Sequence, residues 1–213
     1  MKHFSQYLAT AGFVAIAVQS SVALGQSLAD AVAVPPVPGE IKVPDGNVAY
    51  LKGQATGTQN YICLPAPPPA PNGVAWKLFG PQANLYLKFK LFNIEIVQQI
   101  TTHFLSPNPE EAGLARATWQ SSLDTSAVWA KMIKSSTDSS FVAAGAIPWF
   151  LLENVGDQRG PTGGAMLTPT TYIHRVNTSG GAPPATGCGA AANIGATALV
   201  PYTADYYFYK SGR

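Results

Sequence analysis

Charge is what this chain of 213 residues has least of. Charged residues make up 11% of it, against about 25% in an ordinary soluble domain. The 13 Lys and Arg nearly cancel the 11 Asp and Glu, leaving a formal net charge of +2. A nucleic-acid binder needs a dense basic patch to neutralise phosphates, so that class of partner is excluded. A chain kept disordered by its own charge is excluded as well. Only two cysteines and three histidines are present, too few for a multi-cysteine zinc site. No Gly-x-Gly-x-x-Gly opens a helix after a strand, so a dinucleotide fold has no support. No Gly-x-Ser-x-Gly elbow supports a serine hydrolase. No apolar run reaches the roughly 20 residues of a membrane-spanning helix. Nothing in the spacing implies a metal or a cofactor.

What the chain does have is punctuation. There are 20 Gly and 18 Pro beside 46% hydrophobic residues, too much turn chemistry for a helical bundle. Residues 1–25 read as a secretory signal peptide. Lys2 gives the positive start, Leu8 to Val18 the apolar stretch, and Ser21, Ala23 and Gly25 the small residues of a cleavage site. The expected address is secreted or periplasmic, with no integral membrane segment after cleavage. Cys63 and Cys188 are then expected to pair, because an even pair in an oxidising compartment usually closes. Closing so long a loop stabilises by roughly 4–5 kcal/mol in the chain-entropy account. Residues 26–44 hold Pro35, Pro36, Pro38 and Pro44 and read as an extended arm. Residues 45–213 read as one β-rich domain.

Short strands fill that domain. The pattern predicts them at 48–53, 59–64, 74–79, 83–92, 94–104, 126–133, 146–153, 170–177 and 199–209, with a Gly80-Pro81 turn between two of them. Leu85, Leu87, Phe89 and Leu91 alternate with Asn84, Tyr86, Lys88 and Lys90, the period of a half-buried strand. Asn108-Pro109-Glu110-Glu111 reads as a short helix start, with Asn108 as cap and Pro109 at the first position. The fold class is mainly β, an antiparallel sandwich or barrel-like sheet with one or two short helices.

Several segments together carry a resemblance. They include Val43-Pro44-Asp45-Gly46, Gly57-Thr58-Gln59-Asn60-Tyr61-Ile62-Cys63, Gly80-Pro81-Gln82-Ala83, Thr102-His103-Phe104, Thr118-Trp119-Gln120, Ile147-Pro148-Trp149, Tyr172-Ile173-His174-Arg175-Val176-Asn177-Thr178 and Pro201-Tyr202 through Tyr209. In order and number these resemble an uncharacterised secreted family, catalogued as domain of unknown function 3455. The resemblance implies export and no established activity. The chain departs from it in three places. Ala117-Thr118-Trp119 stands where the family has Pro-Thr-Trp. Asp124-Thr125-Ser126 stands where the family has Asp-Gly-Ser, which predicts a reshaped turn, because Thr resists positive φ. The segment from Leu87 to Thr101 is also longer and more apolar than the usual turn.

Candidate chemistry is thin. His103 with Asp124 is the one pair that suggests a secreted hydrolase, with histidine as general base. The alternative is a hydrogen-bonded histidine at a strand end and an aspartate capping a turn. His174 and Arg175 point to opposite faces of one strand and read as a surface pair. Gln59, Asn60, Trp119, Asp205 and Tyr207 are binding candidates, as polar and aromatic residues of the matching segments. They serve a non-enzymatic module for a cell-wall or surface glycan, or else they fix strand register and fill the core. Asn177-Thr178-Ser179 is a glycosylation sequon.

Overall fold

A computed structural model describes residues 32–212. The expected signal peptide lies outside the described residues. Eight antiparallel strands run in chain order and close into a barrel. They are β1 (Asn47–Pro65), β2 (Val74–Leu91), β3 (Ile94–Asn108), β4 (Leu114–Ser121), β5 (Ala127–Ser136), β6 (Trp149–Gln158), β7 (Tyr172–Gly180) and β8 (Thr197–Ser211). β8 returns to pair with β1 from Asn47↔Ser211 to Ile62↔Thr197. Of the two all-β layouts left open by the alternation, the molecule takes the barrel. Closure leaves no sheet edge within the ring.

Several expected boundaries are corrected. The strands expected at 48–53 and 59–64 are one strand, and so are those at 74–79 and 83–92. Gly80-Pro81 is no turn: it continues β2 through a bulge, where the register slips opposite Asn60 and Tyr61. β4 carries no expected strand, because its inward positions begin with Ala115 and Ala117, which give a weak hydrophobic period. The helix start at Asn108 is a single 3-10 turn, Pro109–Glu111, with the Asn108 side chain accepting from the Glu110 amide.

Two apolar cores follow from strand alternation. Inward residues fill the barrel, large against small: Trp119, Tyr206 and Phe208 pack with Ala55, Ala83 and Ala204. The outer faces of β6, β7 and β8 form a second core of Trp149, Leu151, Val176, Tyr207 and Tyr209. Residues 32–43 lie over that face, with Ile41 fully buried in it. Burying one such side chain stabilises by about 1.5–3 kcal/mol. The two ends of the barrel differ. At one end the β6–β7 connection inserts Leu167 into the interior core. At the other end the Cys63–Cys188 disulfide ties the end of β1 to the β7–β8 connection, with Cα atoms 5.5 Å apart. The indole of Trp76 adds a bond to Thr186 O at 3.1 Å.

Candidate functional site

Above the interior core, toward the disulfide end, the barrel holds a cavity of about 210 Å3. All eight strands contribute to its wall, from Gln59 on β1 to Tyr206 on β8. Its sides are apolar, with Leu105, Met132, Phe150 and Leu152 among them. Eight-stranded barrels have just enough room inside for side chains or for one small ligand.

The polar groups of the cavity are unusual in what they lack. Gln59 is 2% exposed and Trp119 is 0% exposed. Gln59 Nε2 and Trp119 Nε1 have no hydrogen-bond partner. Buried N–H groups of this kind are nearly always paired. Arg175 is 8% exposed. Its Nε and Nη2 donate to Pro148 O at 3.2 and 2.8 Å, and its guanidinium lies 3.8 Å from the Phe150 ring centroid. The two other cations of the wall are Arg116 and Lys131. Arg116 is paired with Glu111 at 2.6 Å and Lys131 with Glu153 at 2.8 Å. Among the described residues Arg175 forms no ion pair, and no Asp or Glu lines the cavity.

His103 sits in the same wall. Its ring stacks on Trp119 with centroids 4.1 Å apart and planes 8° apart. Nδ1 bonds Thr118 O at 2.9 Å, so Nδ1 carries the proton and donates. Burial pulls the His103 pKa down to about 3, the Thr118 carbonyl opposes this and the nearby Arg175 charge adds to it. The imidazole is therefore neutral at ordinary pH. Burial also raises the Tyr206 phenol above its usual range, so it supplies no negative charge to offset Arg175.

Asp124 is elsewhere. It follows β4 in the turn to β5, at the plugged end of the barrel, whereas His103 faces the cavity near the other end. Asp124 Oδ1 accepts from the Ser126 amide at 3.1 Å and from Ser126 Oγ at 2.7 Å. Its Oδ2 accepts from the Met166 amide at 2.8 Å. Burial works to raise its pKa, but these bonds outweigh it and hold the value down to about 2. Asp124 thus fixes the inserted β6–β7 connection, and His103 and Asp124 are not brought together. In that turn Thr125 itself takes a φ of 59°.

The other expected residues divide by face. Gln59, His103 and Trp119 meet at the cavity. Asn60 takes a bond from Thr58 at 2.6 Å and does not line it. Asp205 pairs with Lys52 at 2.9 Å and accepts from Asn177 at 3.0 Å. Tyr207 belongs to the outer core, with the Lys52 ammonium 5.3 Å from its ring centroid. His174 and Arg175 do point oppositely, but both are buried, which corrects the surface reading. His174 Nε2 donates to Ile41 O at 2.6 Å and its Nδ1 lies 2.9 Å from Tyr209 Oη. Of the cavity residues, Phe150 and Tyr206 were no site candidates in the sequence, and Arg175 was placed at the surface. One signal was present: alternation puts Arg175 on the same face as the core residue Ile173.

A broader surface groove of about 920 Å3 is bordered by Asp45, Glu110, Glu153 and Asp157. Among the described residues no group of three His, Cys, Asp or Glu is placed to hold a metal ion. No helix among them is long and apolar enough to cross a membrane.

The chain belongs to the family described as protein of unknown function (DUF3455), whose profile matches residues 44–210. No curated protein matches the sequence, and no solved structure matches the fold.

Proposed function

We propose that this member of the family is an exported, non-enzymatic binding barrel that takes one small molecule into the cavity beneath its disulfide-tied end. One observation carries the reading: Gln59 Nε2 and Trp119 Nε1 are buried N–H groups, in the cavity wall, with no protein partner. Leaving such groups unsatisfied costs about 1–3 kcal/mol each, and a ligand in the cavity satisfies them. Export is supported by the signal-like N-terminus and by the disulfide, a bond of oxidising compartments. A glycan platform on the sheet surface has less to rest on, because Trp119, Trp129 and Trp149 are all buried. A hydrolase built on His103 and Asp124 lacks a shared site.

The test is a 15N NMR titration that follows the Trp119 indole N–H, assigned by its loss in Trp119→Phe. Four small probes suffice: benzoate, benzamide, hexanoate and hexanol. At least one is expected to shift the Trp119 signal in the wild type. None is expected to shift any indole signal in Ala117→Phe, which fills the cavity from β4. If all four leave the wild-type indole unmoved, the binding reading is wrong.

A further inference from the structure

We infer that the ligand is an organic monoanion, a carboxylate on a compact apolar body, with its head held by Arg175. This inference rests on the binding reading above and names the class of molecule for the same cavity. Three independent features converge on it.

The first is charge. A buried cation without a counter-charge is costly, which is why buried ions are normally paired. Arg116 and Lys131 follow that rule within the same wall, each with its own glutamate. Arg175 does not, and its fork is only partly used by the Pro148 carbonyl. Stacking on Phe150 orients the guanidinium without neutralising it. The missing partner is one negative charge. A planar carboxylate matches the remaining guanidinium N–H groups, as bidentate Arg–carboxylate pairs do.

The second is the direction of the hydrogen bonds. Four buried side-chain atoms lack a partner among the described residues, with Thr101 Oγ1 and Trp149 Nε1 lying outside the cavity wall, and the two in the wall, Gln59 Nε2 and Trp119 Nε1, are both donors. Two carbonyls at the wall already accept, Thr118 O from His103 and Pro148 O from Arg175. An ionised carboxylate accepts and does not donate, so it complements this surplus. A phosphate dianion would bring a second charge with no second free cation to meet it.

The third is shape. Leu105, Met132, Phe150 and Leu152 give the carboxylate's body an apolar seat. The 210 Å3 available is below the roughly 300–1,000 Å3 of drug-sized sites. This suits a body of one ring or a short chain.

The experiment measures affinities by the same Trp119 titration at neutral pH. Benzoate and benzamide have nearly one shape and differ in charge. Benzoate is expected to bind at least about tenfold more tightly, the scale of one charge-assisted pair over a neutral one. In Arg175→Gln the preference is expected to vanish, with benzamide binding kept within about threefold. Arg175→Lys keeps the charge and loses the fork, so its preference is expected to be intermediate. If benzamide or hexanol binds the wild type as well as the acids do, the anion inference is overturned and the binding barrel stands. If Arg175→Gln keeps the benzoate preference, Arg175 is not the anchor and the inference is equally overturned. If no probe binds, both readings fall together. The benzoate–benzamide comparison in the wild type decides the matter even if the Arg175 variants do not fold.

Discussion

At Thr125 a β-branched residue occupies backbone that usually belongs to glycine. Its φ of 59° brings the branched side chain against its own backbone. The turn tolerates this because its neighbours fix it from several directions. Thr125 Oγ1 donates to Asp124 O at 2.8 Å, and the Asp124 carboxylate is bonded to Ser126 and Met166. Left-handed backbone costs an ordinary L-residue about 1–2 kcal/mol. Thr125→Gly is therefore expected to raise unfolding stability by about 1 kcal/mol, part of the gain being lost with the exposed hydroxyl bond and with glycine's greater unfolded freedom. Urea unfolding curves check it, and a lower midpoint would show that the hydroxyl outweighs the strain. The substitution itself was visible in the sequence. Its outcome was not, because the bonds that hold the turn come from Met166, some 40 residues away in the chain.

Strand β2 and strand β3 outrun the barrel. Pairing of β2 with β1 stops at Gln54↔Tyr86, and pairing of β3 with β4 begins at Thr101↔Ser121. Residues 87–98 therefore form a two-stranded ribbon with no strand on either side. The predicted alternation is real, with Leu87, Phe89 and Leu91 on one face. Leu85 is fully buried but those three are not, and Phe92 at the tip is 90% exposed. A period of two reports which side a residue faces and not how far the neighbouring strands extend. The same logic explains Gly80-Pro81, a pair that marks a turn in isolation but lies mid-strand here, at a bulge. Since the ribbon buries little, replacing 87–98 by Asn-Gly, a natural two-residue hairpin turn, is expected to leave the thermal midpoint almost unchanged. It is also expected to slow aggregation, because exposed apolar strand is a pairing hazard. Calorimetry and light scattering on the two chains read both outcomes. A large fall in midpoint would mean that the ribbon supports the barrel.

For the molecule as a whole, the sequence disclosed chemistry at positions and left their meeting to closure of the ring. Gln59, His103 and Trp119 were each legible as candidates. That they share a cavity with Arg175 depends on β1, β3, β4 and β7 curling onto one axis, which no local pattern encodes. Closure also buries both described histidines, and a global consequence follows from their charge. His103 is driven down to about 3 by its burial, and burial likewise lowers His174 despite its bond to Ile41 O. In the unfolded chain each titrates near 6.5. The folded state thus resists a proton that the unfolded state accepts, so stability is full above the unfolded value and is lost as pH falls below it, until each folded pKa is reached. His103 alone accounts for about 1.4 kcal/mol lost between pH 7.5 and 5.5, and His174 acts in the same direction. Asp124 does not share this window, because its folded pKa near 2 removes stability only as pH falls from about 4 toward 2. Urea unfolding midpoints measured across pH 7.5 to 5.5 are expected to decline steadily. His174→Gln, whose amide can still donate to Ile41 O, is expected to flatten the decline in part. An unchanged midpoint over that range would mean that both rings take up protons in the folded barrel, and with that the neutral His103 in the cavity wall would be lost.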